Sequence, residues 1–455
     1  MQQSVIIEKK VLKIINPTKK DRRKLESVIQ ELKNLVNKEI NNRKVPISIK
    51  LVGSTAKDTY IKNNLDIDLF LLFPSSYSKQ DISKISLSIG KKILKNTTES
   101  YAEHPYLKGF LKGYKIEIVP CYKIGNASQK LSAVDRTPLH TEYIQNRLIE
   151  SQKNEVRLLK QFLKGIGCYG AEAEIEGFSG YLCEILILKF GSFINFIKNA
   201  SNWKNDVKLA FSEEDLISFD TPLTFIDPVD SERNVASALS VRKFKLFVNA
   251  CQKYLENPII TFFFPNNVHP WSLKKIKIEI QKQNFLYFGV LFSKPEIIDE
   301  NLYPQIRKAV KSIWNACERY GFKIYDVTFY IEDVKKKIFI IIKTKKGSLS
   351  KTYVHIGPPI ELKKNIKDFV DKWEGKTYVV KKPYEKNGRM FVEIERDYTD
   401  IKDFLKDRVR KLSMGKHLGK IVGGNYEIIG LDCLLNENLK VFWTKYLDEK
   451  MSWER

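Results

Sequence analysis

Apolar residues in the first third of the chain recur with two different periods, and these periods predict alternating helices and strands. A helix is predicted to begin after the cap-like pair Thr18 and Asp21, because apolar residues follow at helical spacing. They are Leu25, Ile29, Leu32, Leu35, Val36 and Ile40. Alternation at 47–51 then predicts a strand, and Gly53-Ser54 predicts a turn into a short polar helix. Further strands are predicted at 65–73, 106–111 and 115–122.

The pattern changes twice further along the chain. Helical stripes such as Val156, Leu159 and Phe162 predict a mostly helical block. Beyond Pro265, strand-like and helix-like segments alternate again. The predicted elements are a strand at 285–292, a helix at 302–320, a strand at 337–343, a helix at 365–373, strands near Tyr378 and Phe391, and a helix near 401–412. The whole pattern predicts a multidomain α+β protein.

The charge of the chain narrows the class of partner. Its 455 residues carry 78 Lys and Arg against 54 Asp and Glu, which gives a formal net charge of +24. A surplus of this size favours polyanions, and nucleic acid is the usual one. A solvated, Lys-rich surface of the kind found in heat-adapted proteins is the alternative that composition leaves open.

Cysteine usage and apolar runs indicate where the protein works. The six cysteines are far apart and none forms a C-x-x-C pair, so neither a disulfide framework nor a zinc site is expected. No stretch approaches the ~18 consecutive apolar residues of a membrane helix. Charges break every apolar run at the start of the chain, unlike a signal peptide. We therefore expect a soluble, cytoplasmic protein with no membrane contact.

Two carboxylates stand inside the apolar run of the strand predicted at 65–73. On a strand, Asp66 and Asp68 would project from the same face, because residues i and i+2 do so. Glu117 is a third acid within an apolar strand, where an unpaired charge is costly. Clustered carboxylates repel each other unless cations lie between them, and Mg²⁺ prefers such oxygen ligands. The pattern favours a metal site, while a salt-bridged edge strand is the ordinary alternative for the pair alone.

The turn before this strand has the composition of a phosphate-binding element. Gly53-Ser54 follows one predicted strand and begins a helix, an arrangement that presents backbone N–H groups and the helix dipole to a phosphate. Lys57, one turn further on, adds a positive charge. A Gly-Ser pair by itself is usually just a turn. Combined with three acids, however, it predicts a metal-dependent nucleotidyl-transfer site.

Several long motifs resemble one family. The order of Gly-Ser, paired acids and a third strand acid resembles the nucleotidyltransferase superfamily that includes DNA polymerase β. More specifically, the chain resembles the archaeal, class I CCA-adding enzymes in YAEHPYLKGFLKGYKIEIVPCYKI, SAVDRTPLHTEYI, NEVRLLKQFLKGIGCYGAE, GFSGYLCE and DPVDSERNVASALS. The resemblance continues through ENLYPQI and covers nearly the whole chain. That family adds C, C and A to tRNA 3′ ends from CTP and ATP, without a nucleic-acid template.

The resemblance implies a role for each matching residue. Asp66, Asp68 and Glu117 would be catalytic and would bind two Mg²⁺ ions, with the RNA 3′ hydroxyl attacking the α-phosphate and pyrophosphate leaving. The residues that would bind ATP or CTP are Ser54, Lys57, Thr137, His140, Lys160, Tyr169 and Arg233. Arg233 would help to read the base edge.

Four of these assignments rest on the resemblance alone. Without it, His140 would be read as a structural histidine and Lys160 as a surface charge. Tyr169 would be a half-buried aromatic. Arg233 would be ion-paired with its acidic neighbours.

Three positions depart from the family pattern. The paired acids are usually Glu-x-Asp and the third acid is Asp, whereas this chain has Asp66, Asp68 and Glu117. Lys57 stands where arginine is common, which replaces a planar fork with a point charge. Each replacement keeps the charge, so activity is expected to survive.

The resemblance also implies an architecture. A polymerase β-like nucleotidyltransferase head with a mixed sheet would span 1–148 and a helical neck 149–262. An α+β body would span 263–325 and 386–455, with an inserted α+β tail at 326–385. Head and neck would form the nucleotide pocket, while body and tail would hold the acceptor stem and T-arm of tRNA. Family members are commonly dimers, and the sequence neither shows nor excludes a homodimer.

Two other functions fit parts of the pattern. A poly(A) polymerase or an oligoadenylate synthetase shares the acidic cluster but uses ATP alone or adds long tails. A non-catalytic RNA-binding protein on an inactive transferase fold is the alternative from another class. The three retained acids argue against the latter, because burying unpaired carboxylates is costly.

Overall fold

The computed structural model describes residues 2–62, 64–101, 104–212 and 217–455. The chain divides into two compact units, called the first and the second unit below. The first comprises Met1–Asn267 with Met451–Arg455, and the second comprises Val268–Lys450.

A five-stranded sheet forms the first part of the first unit. Its strands are β1 (Ser48–Val52), β2 (Ile67–Phe73), β3 (Lys95–Tyr101), β4 (Pro105–Leu111) and β5 (Tyr114–Tyr122). They lie in the order β1-β2-β5-β4-β3, and β2 runs parallel to β5 while the other neighbours are antiparallel. The accompanying helices are α2 (Lys19–Arg43), α3 (Gly53–Ala56) and α4 (Lys79–Ile93). Helix α1 (Gln2–Ile15) precedes them and packs into the helical core described below. Apolar residues of α2, α4, β2 and β5 share one core.

Local signals placed several of these elements correctly. Thr18 caps α2 in a capping box, in which its side chain accepts from the N–H of Asp21 and Asp21 accepts from the N–H of Thr18. Two details differ from the prediction. The strand begins at Ile67, so Asp66 precedes it, and α3 is a single turn that ends before Lys57. The dipole of so short a helix is small, because a macrodipole sums over aligned peptide units.

Helices dominate the second part of the first unit, as predicted. They are α5 (Thr137–Arg147), α6 (Glu150–Gly165), α7 (Gly180–Phe190), α8 (Phe193–Ala200) and α9 (Val241–Glu256). A short parallel pair, β6 (Val207–Leu209) and β7 (Leu223–Phe225), accompanies them. The predicted stripe of Val156, Leu159 and Phe162 is buried in their core. The segment 451–455, which the sequence placed in the body, packs here instead, with the rings of Trp453 and Phe262 stacked 5.1 Å apart.

One bent pair of helices has the length and apolar composition of a membrane span. Among the described residues, no single helix is both long and apolar enough to cross a membrane. Helices α7 and α8 reach that threshold only together, across a bend of 93°. Their apolar side chains belong to the buried core of the first unit.

The second unit contains two separate sheets. The larger has the order β14-β8-β10-β9, from β8 (Leu286–Ser293), β9 (Ile324–Glu332), β10 (Lys337–Thr344) and β14 (Glu427–Gly430). The smaller has the order β11-β13-β12, from β11 (Thr352–Pro359), β12 (Val379–Lys386) and β13 (Arg389–Glu395). Helices of this unit are α10 (Leu273–Lys282), α11 (Asp299–Tyr320), α12 (Lys363–Trp373), α13 (Ile401–Arg408), α14 (Lys416–Gly424), α15 (Leu431–Leu434) and α16 (Lys440–Leu447).

Strands in and around the predicted tail, 326–385, belong to two different sheets. Strands β9 and β10 pair in the larger sheet, whereas β13, which the sequence assigned to the body, is the central strand of the smaller one. The segment that carries the smaller sheet spans 352–395, and the inserted tail at 326–385 stays a prediction. Periodicity identifies strands but does not identify their partners, because pairing is set by contacts distant in sequence.

Candidate active site

Strand pairing brings two of the predicted acids side by side. Because β2 and β5 are parallel neighbours, Asp68 lies opposite Glu117, and both side chains project from the same face. Asp66 comes just before β2, with its Oδ2 2.8 Å from Nζ of Lys115. Oε1 of Glu117 lies 3.7 Å from the same ammonium group and 3.4 Å from that of Lys108. Two lysines therefore neutralise part of the charge on Asp66 and Glu117.

Burial and the neighbouring negative charges raise the pKa of Asp68. Its burial, followed by the charges of Glu117 and Asp66, raises the pKa of Asp68 to about 7 although Lys57 and Lys115 oppose the shift. Such a carboxyl group is partly protonated at neutral pH. A divalent cation bound beside it would favour the ionised form and remove the repulsion.

Gly53 lies against the carboxylate of Asp68 and, having no Cβ, leaves room for it. This glycine has a φ of +72°, a left-handed conformation that residues with a Cβ rarely adopt. A Cβ added here would stand 2.0 Å from Oδ2 of Asp68. Ser54 follows in the same turn and is half-buried. The predicted phosphate-binding turn thus lies directly against the acid cluster.

Lys57 and Lys160, both predicted to bind nucleotide, converge on a buried carboxylate that the sequence analysis did not single out. Nζ of Lys57 lies 2.5 Å from Oε2 of Glu184, and Nζ of Lys160 lies 3.2 Å from its Oε1. Thr59 donates to the same Oε1 at 2.6 Å. Burial alone would raise the pKa of Glu184, but the two lysines outweigh it and hold that pKa below its usual value. Burial lowers the pKa of Lys160.

His140 and Arg233 converge on a second buried carboxylate, Asp227. Its Oδ2 lies 2.8 Å from Nε2 of His140 and 2.8 Å from a guanidinium nitrogen of Arg233. Its Oδ1 accepts from the hydroxyl of Tyr181 at 3.0 Å, and the rings of Tyr181 and His140 stack 4.1 Å apart. Burial opposes ionisation of Asp227, yet these partners lower its pKa to about 2. Because burial lowers the pKa of His140, we assign a neutral ring whose Nε2–H donates to the carboxylate.

Tyr181 connects the two carboxylate clusters. Helix α7 carries it one turn before Glu184, and the ammonium of Lys57 lies 5.8 Å from the centre of its ring. The same side chain donates to Asp227. Residues from the sheet and from the helices thus form one continuous polar layer inside the first unit.

The remaining predicted residues lie around this layer. The hydroxyl of Tyr169 is close to Gly180, where a Cβ would be 3.2 Å from it and 3.8 Å from Nζ of Lys160. The ammonium of Lys164 lies 5.1 Å from the centre of the Tyr169 ring. Thr137 begins α5, one turn before His140, and is half-buried.

The donor set suits a hard divalent cation, although the three acids do not converge on a single point. Carboxylate oxygens are the ligands that Mg²⁺ prefers, and the raised pKa of Asp68 reports negative charge that a cation would offset. Within the described ranges, no three His, Cys, Asp or Glu side chains are arranged to hold a metal ion. Asp66 is paired through its Oδ2 with Lys115 in this arrangement.

Three protein families match successive parts of this chain and together cover most of it. Residues 25–140 match the family described as the nucleotidyltransferase domain. Residues 154–264 match the second domain of tRNA nucleotidyltransferase, and residues 284–430 match the C-terminal domain of the CCA-adding enzyme.

Full-length relatives agree with these profiles. The chain is 33% identical over 444 residues to the CCA-adding enzyme of Methanosarcina barkeri, covering 96% of this chain and 97% of that one. It is 34% identical over 442 residues to the CCA-adding enzyme of Archaeoglobus fulgidus, with coverage of 96% and 97%. The chain belongs to the archaeal CCA-adding enzyme family. Its members are nucleotidyltransferases, and the fold predicted from the motifs, a polymerase β-like head in a multidomain α+β protein, is confirmed.

A solved structure of the Cid1 poly(U) polymerase with MgGTP is also similar. The TM-score is 0.47 at 13% identity, covering 58% of this chain and 98% of that one.

Sequence reasoning missed Glu184 and Asp227, although a signal for one was present. Glu184 interrupts the apolar run GYLCEILIL, just as Glu117 interrupts its strand. An acid buried in such a run requires cationic or hydrogen-bonding partners. Asp227 lies in a polar loop, DPVDSERN, where its composition gives no comparable signal.

Proposed function

We propose that this chain adds and repairs the 3′-terminal CCA of tRNA by template-independent transfer of nucleotides from CTP and ATP. The observation that carries this proposal is the pairing of Asp68 with Glu117 beside the Gly53 turn, in a chain of the CCA-adding family. In each cycle the RNA 3′ oxygen forms a bond to the α-phosphorus of the nucleotide. The bond to the β-phosphate oxygen breaks, and pyrophosphate leaves.

The acid cluster is assigned to metal binding and catalysis. Asp66, Asp68 and Glu117 would hold two Mg²⁺ ions, which when bound supply Lewis-acid stabilisation of the attacking and leaving oxygens. The crowding that raises the pKa of Asp68 supports this assignment. Lys115 would release Asp66 and leave its carboxylate free as a ligand.

The polar layer is assigned to the nucleotide. Ser54 and Lys57 would hold the triphosphate, with Lys160 and Tyr169 beside them. Thr137, His140 and Arg233 would position the ribose and base. Support comes from four of these side chains. Lys57 and Lys160 converge on the buried carboxylate of Glu184, and His140 and Arg233 converge on that of Asp227, which fixes their orientation before substrate arrives.

The second unit is assigned to the acceptor stem and T-arm of tRNA. Duplex RNA is read mainly through shape and backbone, which suits an enzyme that must accept every tRNA. The net charge of +24 supports such contacts, and binding should weaken steeply with salt. The proposal includes a homodimer, which sedimentation velocity of the purified protein tests.

The deciding experiment offers nucleotides separately to a tRNA transcript that ends at the discriminator base, with Mg²⁺ present. Two additions from CTP alone, and a third only when ATP is supplied as well, are expected. Asp68→Asn should abolish addition, whereas Asp206→Asn, at an exposed aspartate, should leave it unchanged. A long ladder from ATP alone would assign the chain to the poly(A) type instead. Tight binding without extension would indicate a non-catalytic RNA-binding protein.

A further inference from the structure

A short loop between α3 and β2 supplies two of the groups that surround Glu184. This loop, residues 57–60, follows α3 directly. Nζ of Lys57 lies 2.5 Å from one carboxylate oxygen of Glu184, and the hydroxyl of Thr59 donates to the other at 2.6 Å. Nζ of Lys160 in turn donates to that hydroxyl at 3.1 Å and to the carbonyl oxygen of Thr59 at 3.2 Å. The position of this loop therefore decides how these groups are assembled.

The backbone of the loop adopts a conformation that most residues avoid. Asp58 has a φ of +52°, in the left-handed region, where a Cβ comes close to the following carbonyl oxygen. A backbone hydrogen bond from the N–H of Thr59 to the carbonyl oxygen of Ser54, at 3.0 Å, closes the turn. Backbone of this kind persists where the surrounding structure holds it in place. The loop thus depends on contacts from elsewhere in the chain.

Arg157 of α6 supplies several of these contacts. Its side chain is only 1% exposed, and its Nε donates to the carbonyl oxygen of Tyr60 at 2.9 Å. One terminal nitrogen, Nη2, donates to the carbonyl oxygen and to the carboxylate of Asp58, at 2.5 and 2.7 Å. The other, Nη1, donates to the side-chain oxygen of Asn154 at 3.0 Å, which fixes the guanidinium on its own helix. One planar group thus holds the loop on both sides of Thr59.

The chemistry of this contact favours arginine over lysine. A buried charge is costly unless hydrogen bonds and an opposite charge compensate it, and here Asp58 and two carbonyl oxygens do so. Arg22 of α2 contacts the same carboxylate. A guanidinium fork reaches several acceptors in fixed directions, whereas a lysine ammonium is a point charge on a flexible stem. Because Lys160 follows Arg157 by three residues on α6, one face of this helix fixes both the loop and a lysine of the pocket.

We propose that Arg157 is a positioning residue of the nucleotide pocket, which holds the loop 57–60 so that Lys57 and Thr59 stay on Glu184 and the Lys57 ammonium lies where the triphosphate binds. The inference rests on the proposed function, because it takes the pocket to hold CTP or ATP. Arg157 acts through the backbone of the loop. Its replacement should therefore weaken nucleotide binding without changing the binding of RNA.

Equilibrium binding of CTP to the full-length protein, measured by calorimetry with Mg²⁺ and without tRNA, tests this role. Arg157→Lys keeps the charge but loses the fork, and we expect Kd for CTP to rise about tenfold or more, the order expected when a hydrogen bond of a charged group is lost. Kd for a tRNA transcript should be unchanged. Arg23→Lys makes the same change at an exposed arginine of α2 and serves as the control. An unchanged Kd for CTP in a folded Arg157→Lys protein would overturn the inference.

A second variant tests the same contact from the side of the loop. Asp58→Gly keeps the left-handed backbone, which glycine adopts freely, and removes the carboxylate that Arg157 holds. Kd for CTP should rise in this protein as well, and an unchanged value would contradict the proposal even if Arg157→Lys does not fold.

A purely structural role has a different signature. Phe196→Leu removes volume from the same helical core, where its ring packs against Phe190 and Phe247. It should destabilise that core while leaving CTP binding unchanged. If Phe196→Leu and Arg157→Lys weaken CTP binding equally at an equal loss of stability, Arg157 only supports the fold and the proposal fails.

A double-mutant cycle tests whether Arg157 acts through Lys57. Lys57→Gln removes the ammonium charge but keeps a donor for Glu184. In that protein, Arg157→Lys should weaken CTP binding by a smaller factor than in the wild type, because the effects of coupled residues are not additive. Equal factors in both backgrounds would refute the coupling. If Arg157→Lys weakens CTP binding but the wild type adds no CCA to tRNA, the proposed function fails while the positioning role stands.

Discussion

Replacing Glu184 by glutamine tests whether the buried carboxylate organises the nucleotide pocket. The change keeps the shape of the side chain but removes the negative charge that faces Lys57 and Lys160. Both lysine side chains are almost fully buried, with 7% and 3% exposed. They would then face each other without a counter-charge.

The expected cost follows from that burial. Removing one partner of a buried ion pair typically costs about 3–5 kcal/mol, because the remaining charge is left uncompensated. We expect Glu184→Gln to destabilise the first unit by about this amount at pH 7. Adding Lys160→Met should recover part of the loss, since it removes one of the two stranded ammonium groups. Glu150→Gln, at an exposed helix pair with Lys153, should cost less than about 1 kcal/mol.

The pH dependence of this effect has a definite sign. The pKa of Glu184 is lowered in the folded protein, so the carboxylate stabilises the fold above its unfolded pKa of about 4.3. That contribution is lost as the pH falls through the folded pKa. Wild type and Glu184→Gln should therefore differ most near neutral pH and converge in acid.

The assay must report on the first unit alone, because the chain has two compact units that need not unfold together. Hydrogen exchange of peptides from α6 and α7 gives the free energy of opening of the relevant helices. A difference below about 1 kcal/mol between Glu184→Gln and wild type at pH 7 would refute the reasoning. A difference that does not shrink as the pH falls from 7 through the acid range would also contradict it.

Three further predictions concern the acids and their surroundings. Gly53→Ala should strongly reduce nucleotide addition, because the new Cβ would meet the carboxylate of Asp68. Gly191 also has a positive φ but has open space around it. Gly191→Ala should therefore lower the free energy of unfolding by only about 1 kcal/mol and leave nucleotide addition unchanged. Asp68→Asn should raise the free energy of unfolding of the metal-free protein at pH 8. The carboxyl group has a pKa of about 7 in the folded protein, so it opposes folding increasingly as the pH rises from about 4 to 7. Equal melting temperatures of wild type and Asp68→Asn at pH 8 would contradict this. Asp227→Asn should free Arg233, so single-turnover rates with CTP and ATP should change unequally; equal changes would argue for a purely structural Asp227.

Local physics explains what could be predicted from the sequence. The capping box at Thr18, the stripe of α6 and the strand that carries Asp68 follow from hydrogen bonding and periodicity within a few residues. The acids were recognisable because a charge in an apolar strand needs compensation. The motifs placed the chain in its family, and the full-length relatives confirm that placement.

Contacts between distant parts of the chain decided the rest. Lys57 meets Glu184 across 127 positions, and His140 meets Asp227 across 87. The partners of β9, β10 and β13 also depend on pairing between distant segments. Periodicity reports which face of an element is buried but not what covers it. The sequence by itself therefore determined the acids, the family and many of the elements, while the tertiary structure decided which charges neutralise each other.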